Sequence, residues 1–265
     1  DEVARTRPNW AAVPLGECLG IVSRRGEGLV EEAPGLLVAA HREEEEGEVV
    51  LAGGEPRLPH GGLQLSALRD GGAEGFFRLL VPRSLGGAEL NFLDYLRIVQ
   101  MFGEVDGSTA WCINQNNVFA TNSVRMPEQT AQEIWSDRRA VVTNGPPTGS
   151  VRAVPVDGGY RLSGRWNFSS GIRHATWVAA LAPIRHPGQG DDASTDGNDV
   201  RMLLIPKEDV SLVDVWQVNG LRGTGSFSFE ADDLFVPSYR TYGTSDRPRE
   251  GGALYAIPTG LLFPS

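Results

Sequence analysis

The sequence predicts an α+β protein in which a helical segment precedes a segment of β-strands. Apolar residues recur at three- and four-residue steps between residues 90 and 105, as one buried helix face requires. From about residue 140 the pattern changes to short apolar or alternating runs separated by turn residues, which is typical of strands in series. Because no helical periodicity lies between these runs, they favour an antiparallel sheet or a barrel.

The helical segment is expected to contain one helix over residues 90–105 and a second over residues 109–124, with Ser108 as its cap. Pro127 is expected to open a third helix as its first-turn proline. Upstream, residues 63–77 contain three glycines and predict only a short or broken helix.

The strand segment contains seven runs, at residues 140–143, 151–156, 160–166, 175–184, 200–206, 210–218 and 226–237. Turn residues separate them, notably Asp-Gly-Gly at 157–159 and a glycine- and aspartate-rich stretch at 187–199. These changes of pattern predict an N-terminal helical domain over 1–137 and a middle β-domain over 138–240. Residues 241–265 end on an apolar stretch, which suggests that more protein follows.

Composition excludes several classes of function. The net charge of −10 argues against a nucleic-acid binder, because phosphate binding needs a concentrated basic surface. The longest apolar stretch, 175–184, is too short to cross a bilayer, so no membrane partner is expected. Two cysteines without metal-ligand spacing predict neither a disulfide framework nor a metal site, and they favour a cytoplasmic location. The glutamate-rich window 31–48 is expected to be a solvated helix face or loop.

The stretch YRLSGRWNFSSGIRHATW, residues 160–177, places hydroxyls beside aromatic rings at the end of a predicted strand. An apolar wall with a few hydrogen-bonding groups is the usual composition of a pocket for a planar ligand. The alternative is that the aromatic residues are core and that the serines form the next turn, and on residue chemistry alone this alternative is favoured.

This stretch, taken with PRSLGGAEL (82–90), DGSTAW (106–111), GLRGTGS (220–226) and DDLFVP (232–237), resembles the acyl-CoA dehydrogenase superfamily. Within that superfamily it is similar to the branch of flavin-dependent monooxygenases. The resemblance implies an N-terminal helical domain, a β-barrel-like middle domain and a C-terminal four-helix bundle. The chain matches the first two, so the bundle is expected to be absent from it and residues 241–265 to be a linker toward that bundle.

The resemblance also implies a flavin cofactor, FMN or FAD, and assigns residues to it. Ser169 takes the position whose hydroxyl hydrogen-bonds flavin N5 in the family, so it is the expected catalytic residue. A second flavin stretch of the family corresponds loosely to residues 143–150, where Asn144 replaces an acid. The expected cofactor-binding residues are therefore Thr143, Asn144, Ser150, Asn167, Phe168 and Ser169.

The resemblance places four residues near the substrate: Trp111 and Asn114 on the second helix, and Arg222 and Ser226 in the GLRGTGS loop. Core packing of Trp111 and a plain glycine-rich hairpin at the loop remain alternatives. His174 follows the flavin motif, and a structural role is expected for it. The family's acid–base residue belongs to the C-terminal domain.

Three functions follow from these patterns. The first is a two-component monooxygenase, which receives reduced flavin from a flavin reductase and uses dioxygen on a small organic substrate. The second is an acyl-CoA dehydrogenase, in which flavin accepts a hydride from a thioester. The third is a truncated, non-catalytic homologue or a fragment. The full-length protein is expected to be a homo-oligomer.

Overall fold

The structure, a computed structural model, describes residues 41–43, 48–50, 73–186 and 200–262. Between residues 73 and 186 the helices come first and the strands follow, so the predicted α+β order is confirmed. Most of the short helix expected over 63–77 lies outside the described residues. Its last five residues, Ala73–Phe77, form a 3-10 helix.

Three helices follow: α1 (Phe92–Gly103), α2 (Gly107–Ala120) and α3 (Glu128–Trp135). The predicted Ser108 cap of α2 is wrong. The carboxylate of Asp106 accepts hydrogen bonds from the backbone amides of Ser108 and Thr109 at 3.3 and 2.8 Å. Ser108 lies inside the first turn, where its own N–H needs an acceptor, so the residue before the helix provides the cap.

Helix α2 is buried along nearly its whole length, between α1 and the strands. Its polar side chains therefore need partners inside the protein. Asn117 Oδ1 accepts from the backbone amide of Leu80 at 3.1 Å, and Asn116 Nδ2 donates to the carbonyl of Val142 at 3.1 Å. The asparagines of α2 connect this helix to the segments packed around it.

The strand segment consists of β3 (Val142–Gly145), β4 (Arg152–Val156), β5 (Gly159–Ser169), β6 (Trp177–Pro183), β7 (Val200–Pro206), β8 (Ser211–Val213), β9 (Phe227–Pro237) and β10 (Thr241–Gly243). These strands form two four-stranded sheets, with strand orders β10-β7-β6-β3 and β4-β5-β9-β8. Residues from both sheets, including Trp166, Leu203, Ile205 and Phe229, pack into one buried cluster.

The prediction of an antiparallel barrel needs two corrections. Strands β3 and β6 pair in parallel, with Val142 opposite Trp177. This happens because the β4–β5 hairpin pairs within the other sheet, so that the chain returns to β3 running in the same direction. Within the described residues the two sheets do not close into a barrel.

Two further segments contain elements that the sequence does not predict. At the end of the glutamate-rich window, β1 (His41–Glu43) pairs with β2 (Glu48–Val50) as antiparallel strands. In the expected linker, β10 extends the sheet by pairing with β7. The short helices α4 (Ala253–Ala256) and α5 (Thr259–Leu262) pack on the buried cluster of α1 and α2. None of the helices in the described ranges is long and apolar enough to cross a membrane.

Candidate active site

The C-terminal end of β5 contains a bulge that turns neighbouring side chains to different sides. Its register with β9 shifts between Trp166 and Ser169, and Phe168 has a φ of 53°, which non-glycine residues rarely adopt. Trp166 is fully buried and stacks on Phe229, with ring centroids 4.9 Å apart. Phe168, by contrast, is 60% exposed. The bulge therefore presents one aromatic ring at the surface and anchors its neighbour in the core.

Ser169 ends β5 with a fully buried hydroxyl that has no hydrogen-bond partner within the described part of the chain. Gly145 of β3 packs directly against it: a Cβ atom at Gly145 would lie 2.5 Å from Ser169 Oγ and 2.1 Å from the carbonyl oxygen of Asn167. Only glycine fits this approach. Because buried polar groups are nearly always paired, the hydroxyl of Ser169 requires an explanation such as a ligand or a water molecule.

Trp111 of α2 contacts the residue after Ser169. Its indole Nε1 donates to Ser170 Oγ at 2.8 Å, and Thr143 Oγ1 of β3 donates to the carbonyl of Ser170 at 2.7 Å. Trp111 is half-buried, whereas Thr143 is fully buried. Three elements that are distant in sequence, α2, β3 and β5, therefore meet at this strand end.

Asn114 does not join this group. The hydroxyl of Tyr95 in α1 donates to Asn114 Oδ1 at 2.9 Å, so its amide lies in the interface between α1 and α2. Gln115, four residues after Trp111 on α2, contacts β3: its Nε2 donates to Asn144 Oδ1 at 2.7 Å. Gln115 is missing from the predicted set. Its spacing from Trp111 is the signal that could have identified it, because residues four apart share a helix face.

The other residues expected at the cofactor have partners of their own. Asn167 Oδ1 accepts from Ser228 Oγ at 2.8 Å and from Arg165 Nε at 3.2 Å, which links β5 to β9. Ser150 is exposed, and its hydroxyl lies 3.1 Å from that of Thr148. Ser150 therefore lies at the solvent surface, and hydrogen bonds hold the Asn167 side chain against β9.

The GLRGTGS loop reaches the same strand end. Ser226 is buried, and its Oγ lies 2.8 Å from Ser170 Oγ, whereas Arg222 is exposed. Trp216 donates through Nε1 to the carbonyl of Leu221 at 3.1 Å, and its ring meets that of Phe168 edge to face at 6.1 Å. We call Phe168 and Trp216 the aromatic surface.

Titratable groups near the strand end are buried in structural positions. His174 Nε2 lies 3.3 Å from Asn116 Oδ1, and the imidazole packs on Phe77 with ring centroids 5.0 Å apart, consistent with the structural role expected for it. Burial raises the pKa of the Cys112 thiol, and the charge of Asp106 raises it further.

Across the described ranges no group of three or more His, Cys, Asp or Glu side chains could hold a metal ion. The groups gathered at the end of β5 are hydroxyls, amides and aromatic rings, which suit hydrogen bonding and stacking with a planar ligand.

Comparison with known proteins identifies relatives of this chain, although no protein-family model matches it. It is 30% identical over 199 residues to the oxygenase subunit of the flavin-dependent monooxygenase HsaA from Rhodococcus jostii, covering 72% of this chain and 50% of that protein. The chain thus spans about half the length of the curated relatives it matches.

Solved structures give the same result. The crystal structure of 3-HSA hydroxylase from Rhodococcus sp. RHA1 matches with a TM-score of 0.63 and 29% identity, over 71% of this chain and 50% of that one. XiaF from Streptomyces sp., solved with FADH2 and glycerol, matches with a TM-score of 0.61 and 26% identity, over 71% of this chain and 44% of that one. Over the residues that it shares with them, the chain is a homologue of flavin-dependent monooxygenases that have the acyl-CoA dehydrogenase-like fold.

Proposed function

We propose that this chain contains the flavin-binding part of the oxygenase component of a two-component monooxygenase. Such a component receives reduced FMN or FAD from a separate reductase and oxygenates a small organic substrate. The observation that carries the proposal is the buried, unpartnered hydroxyl of Ser169, which follows the exposed Phe168 in sequence at the strand end that the family motif marks. The Rhodococcus jostii relative is an oxygenase subunit, which supports the two-component arrangement.

The residues at the end of β5 fit a flavin, which has flat apolar faces and a polar edge. Ser169 has a buried hydroxyl to complete, and a hydroxyl can both donate to and accept from a ring nitrogen. Phe168 offers an exposed aromatic face. Gln115 Nε2 donates to Asn144 Oδ1, which orients that amide, and Asn144 Nδ2 would then donate to the polar edge of a bound flavin. Thr143, Ser150 and Asn167 complete the proposed set.

When bound, reduced flavin supplies two electrons, so that one atom of dioxygen enters the substrate and the other leaves as water. The protein's contribution is to bind, orient and exclude water. Ser169 would hold a hydrogen bond at the ring from inside the sheet, where bulk water does not compete with it. The aromatic surface would cover apolar area of the flavin or the substrate. Trp111 and Arg222 are the proposed substrate-side residues.

The finer organisation is part of the same proposal. Residues 1–137 would form the helical domain and 138–240 the flavin-binding β-domain, with residues 241–265 leading to a C-terminal helical domain. The observed change from helices to strands between Trp135 and Val142 supports the first boundary. The substrate, the reductase and a homo-oligomeric assembly belong to the whole protein.

The proposal is tested by anaerobic titration of the purified chain with FMNH2 and FADH2, followed by the oxidised forms. We expect one reduced flavin to bind per chain, more tightly than its oxidised form. Addition of oxygen with a reductase and a phenolic probe such as resorcinol then reports on product formation. A chain that folds and binds no flavin in any state contradicts the proposal.

A further inference from the structure

Three buried hydroxyls connect Trp111 to the turn at Leu221. Trp111 Nε1 donates to Ser170 Oγ at 2.8 Å. Ser170 Oγ lies 2.8 Å from Ser226 Oγ, which lies 2.6 Å from Thr224 Oγ1. Thr224 Oγ1 then donates to the carbonyl oxygen of Leu221 at 2.9 Å. Ser170, Ser226 and Thr224 are all buried, at 2–4% exposure, so solvent does not supply alternative partners.

The two ends of this series fix the direction of every bond in it. The Leu221 oxygen can only accept, so Thr224 uses its single hydroxyl hydrogen there and must accept from Ser226. Ser226 has then used its hydrogen and must accept from Ser170. The indole of Trp111 can only donate, which leaves Ser170 accepting from Trp111 and donating to Ser226. Each of the three hydroxyls thus donates one hydrogen bond and accepts one.

The turn that ends the series is held from other directions as well. Leu221 has a φ of 53°, a left-handed conformation that costs energy in a non-glycine residue. Its carbonyl also accepts from Trp216 Nε1 and from the Thr224 amide, each at 3.1 Å. The carbonyl of Thr224 accepts from the amide of Gly171 at 2.9 Å. Trp216, beside β8, thus donates directly to the Leu221 carbonyl, whereas Trp111 on α2 is connected to it through the three hydroxyls.

We infer that Ser170, Ser226 and Thr224 form a one-directional hydroxyl chain that fixes Trp111 and the Leu221–Arg222 turn relative to each other. These three are positioning residues. Ser226, expected from sequence at the substrate, acts here through its neighbours, because both of its partners are hydroxyls and it is buried. The inference rests on the proposed function only for its consequence, which is that Trp111 and the turn are held at the flavin and substrate.

The test changes one end of the hydroxyl chain, Thr224, and measures the effect at the other end, Trp111. It uses a matched pair of variants at Thr224. Thr224→Val removes the hydroxyl at nearly constant shape, and Thr224→Ser retains it. The measurement is the indole NH resonance of Trp111 in 15N-labelled full chain, assigned with Trp111→Phe. In Thr224→Val we expect this resonance to shift and its solvent exchange to accelerate about three- to tenfold, which corresponds to loss of one hydrogen bond. In Thr224→Ser it should stay near its wild-type position.

An indole resonance of Trp111 that is the same in both variants would overturn the inference. If Thr224→Val does not fold, Ser226→Ala breaks the series at its middle without adding volume and is expected to give the same change. The reverse direction is measured by limited trypsin digestion: Trp111→Phe should accelerate cleavage after the exposed Arg222, and the remote Ser136→Ala should not.

The functional consequence is measured by affinity for reduced FMN. Thr224→Val should weaken it about three- to tenfold, and Thr224→Ser should leave it within about twofold. A shifted indole resonance with unchanged affinity would overturn the positioning role. A wild-type chain that binds no reduced flavin would instead contradict the proposed function, and the indole and trypsin measurements would still decide whether the hydroxyl chain exists.

Discussion

Gly145 of β3 packs so closely on Ser169 of β5 that a Cβ atom at position 145 would lie 2.5 Å from the serine Oγ. The same Cβ would lie 2.1 Å from the backbone oxygen of Asn167, which cannot rotate away as a side chain can. Backbone atoms therefore set how closely β3 and β5 approach each other here, and they leave no room for a side chain at position 145. This relationship and the unpartnered hydroxyl beside it give the first two predictions.

Gly145→Ala should push β3 away from the end of β5. We expect a loss of about 1–3 kcal/mol in the free energy of unfolding, as for other overpacked cores, together with weakened flavin binding. Urea unfolding and flavin titration measure the two effects. Gly149→Ala is the matched control, because a Cβ there meets nothing within 4 Å. Equal stability of the two variants would contradict the close approach.

Ser169→Ala should separate binding from folding. Its hydroxyl has no partner in the described chain, so its removal should leave the free energy of unfolding unchanged or slightly higher. Affinity for reduced flavin should fall about three- to tenfold. Ser228→Ala is the comparison: that serine is equally buried but bonded to Asn167 and Arg165, so its removal should cost about 1–3 kcal/mol. Equal destabilisation by both variants would show that Ser169 is a structural residue.

Phe168→Ala tests the aromatic surface. The ring is 60% exposed, so its removal should change the free energy of unfolding by no more than about 0.5 kcal/mol. Flavin affinity should fall, because stacking area is lost. The buried Phe229, which stacks on Trp166, provides the contrast, since Phe229→Ala should cost about 3–5 kcal/mol. Unchanged flavin affinity in Phe168→Ala would remove this ring from the proposed site.

Alkaline pH should destabilise the fold through its buried tyrosines. Burial raises the pKa of Tyr242 above its ordinary value of 10.0, and its hydroxyl has no partner in the described residues. The unfolded chain therefore loses this proton at a lower pH than the folded chain, and the free energy of unfolding declines as the pH rises above about 10.

Tyr242→Phe removes the titrating group without breaking a hydrogen bond. We expect the decline in unfolding free energy above about pH 10 to become shallower, by up to about 1.4 kcal/mol per pH unit. Urea unfolding at a series of alkaline pH values measures it. Tyr255→Phe should act in the same direction, since burial also raises the pKa of Tyr255. A slope identical to that of the wild-type chain would contradict the assignment.

Local patterns predicted the elements better than their pairing. The periodicity over residues 90–105 predicted α1, which spans Phe92–Gly103, because helix formation depends on residues a few positions apart. The parallel pairing of β3 with β6 could not be predicted in this way. It depends on the insertion of β4 and β5 into a different sheet, and no local pattern records which sheet a strand joins.

By itself, the sequence determined the order of helices and strands, the motif around Ser169 and the family that this motif indicates. The tertiary structure decided which polar groups have partners. Ser170 and Ser226, 56 residues apart, meet at 2.8 Å, whereas the hydroxyl of Ser169 meets none in the described chain. Ser169 and Ser170 are adjacent and look equivalent in the sequence. They differ in the fold because a hydrogen bond needs atoms about 3 Å apart, and that distance is set by how α2, β3, β5 and the loop before β9 pack together.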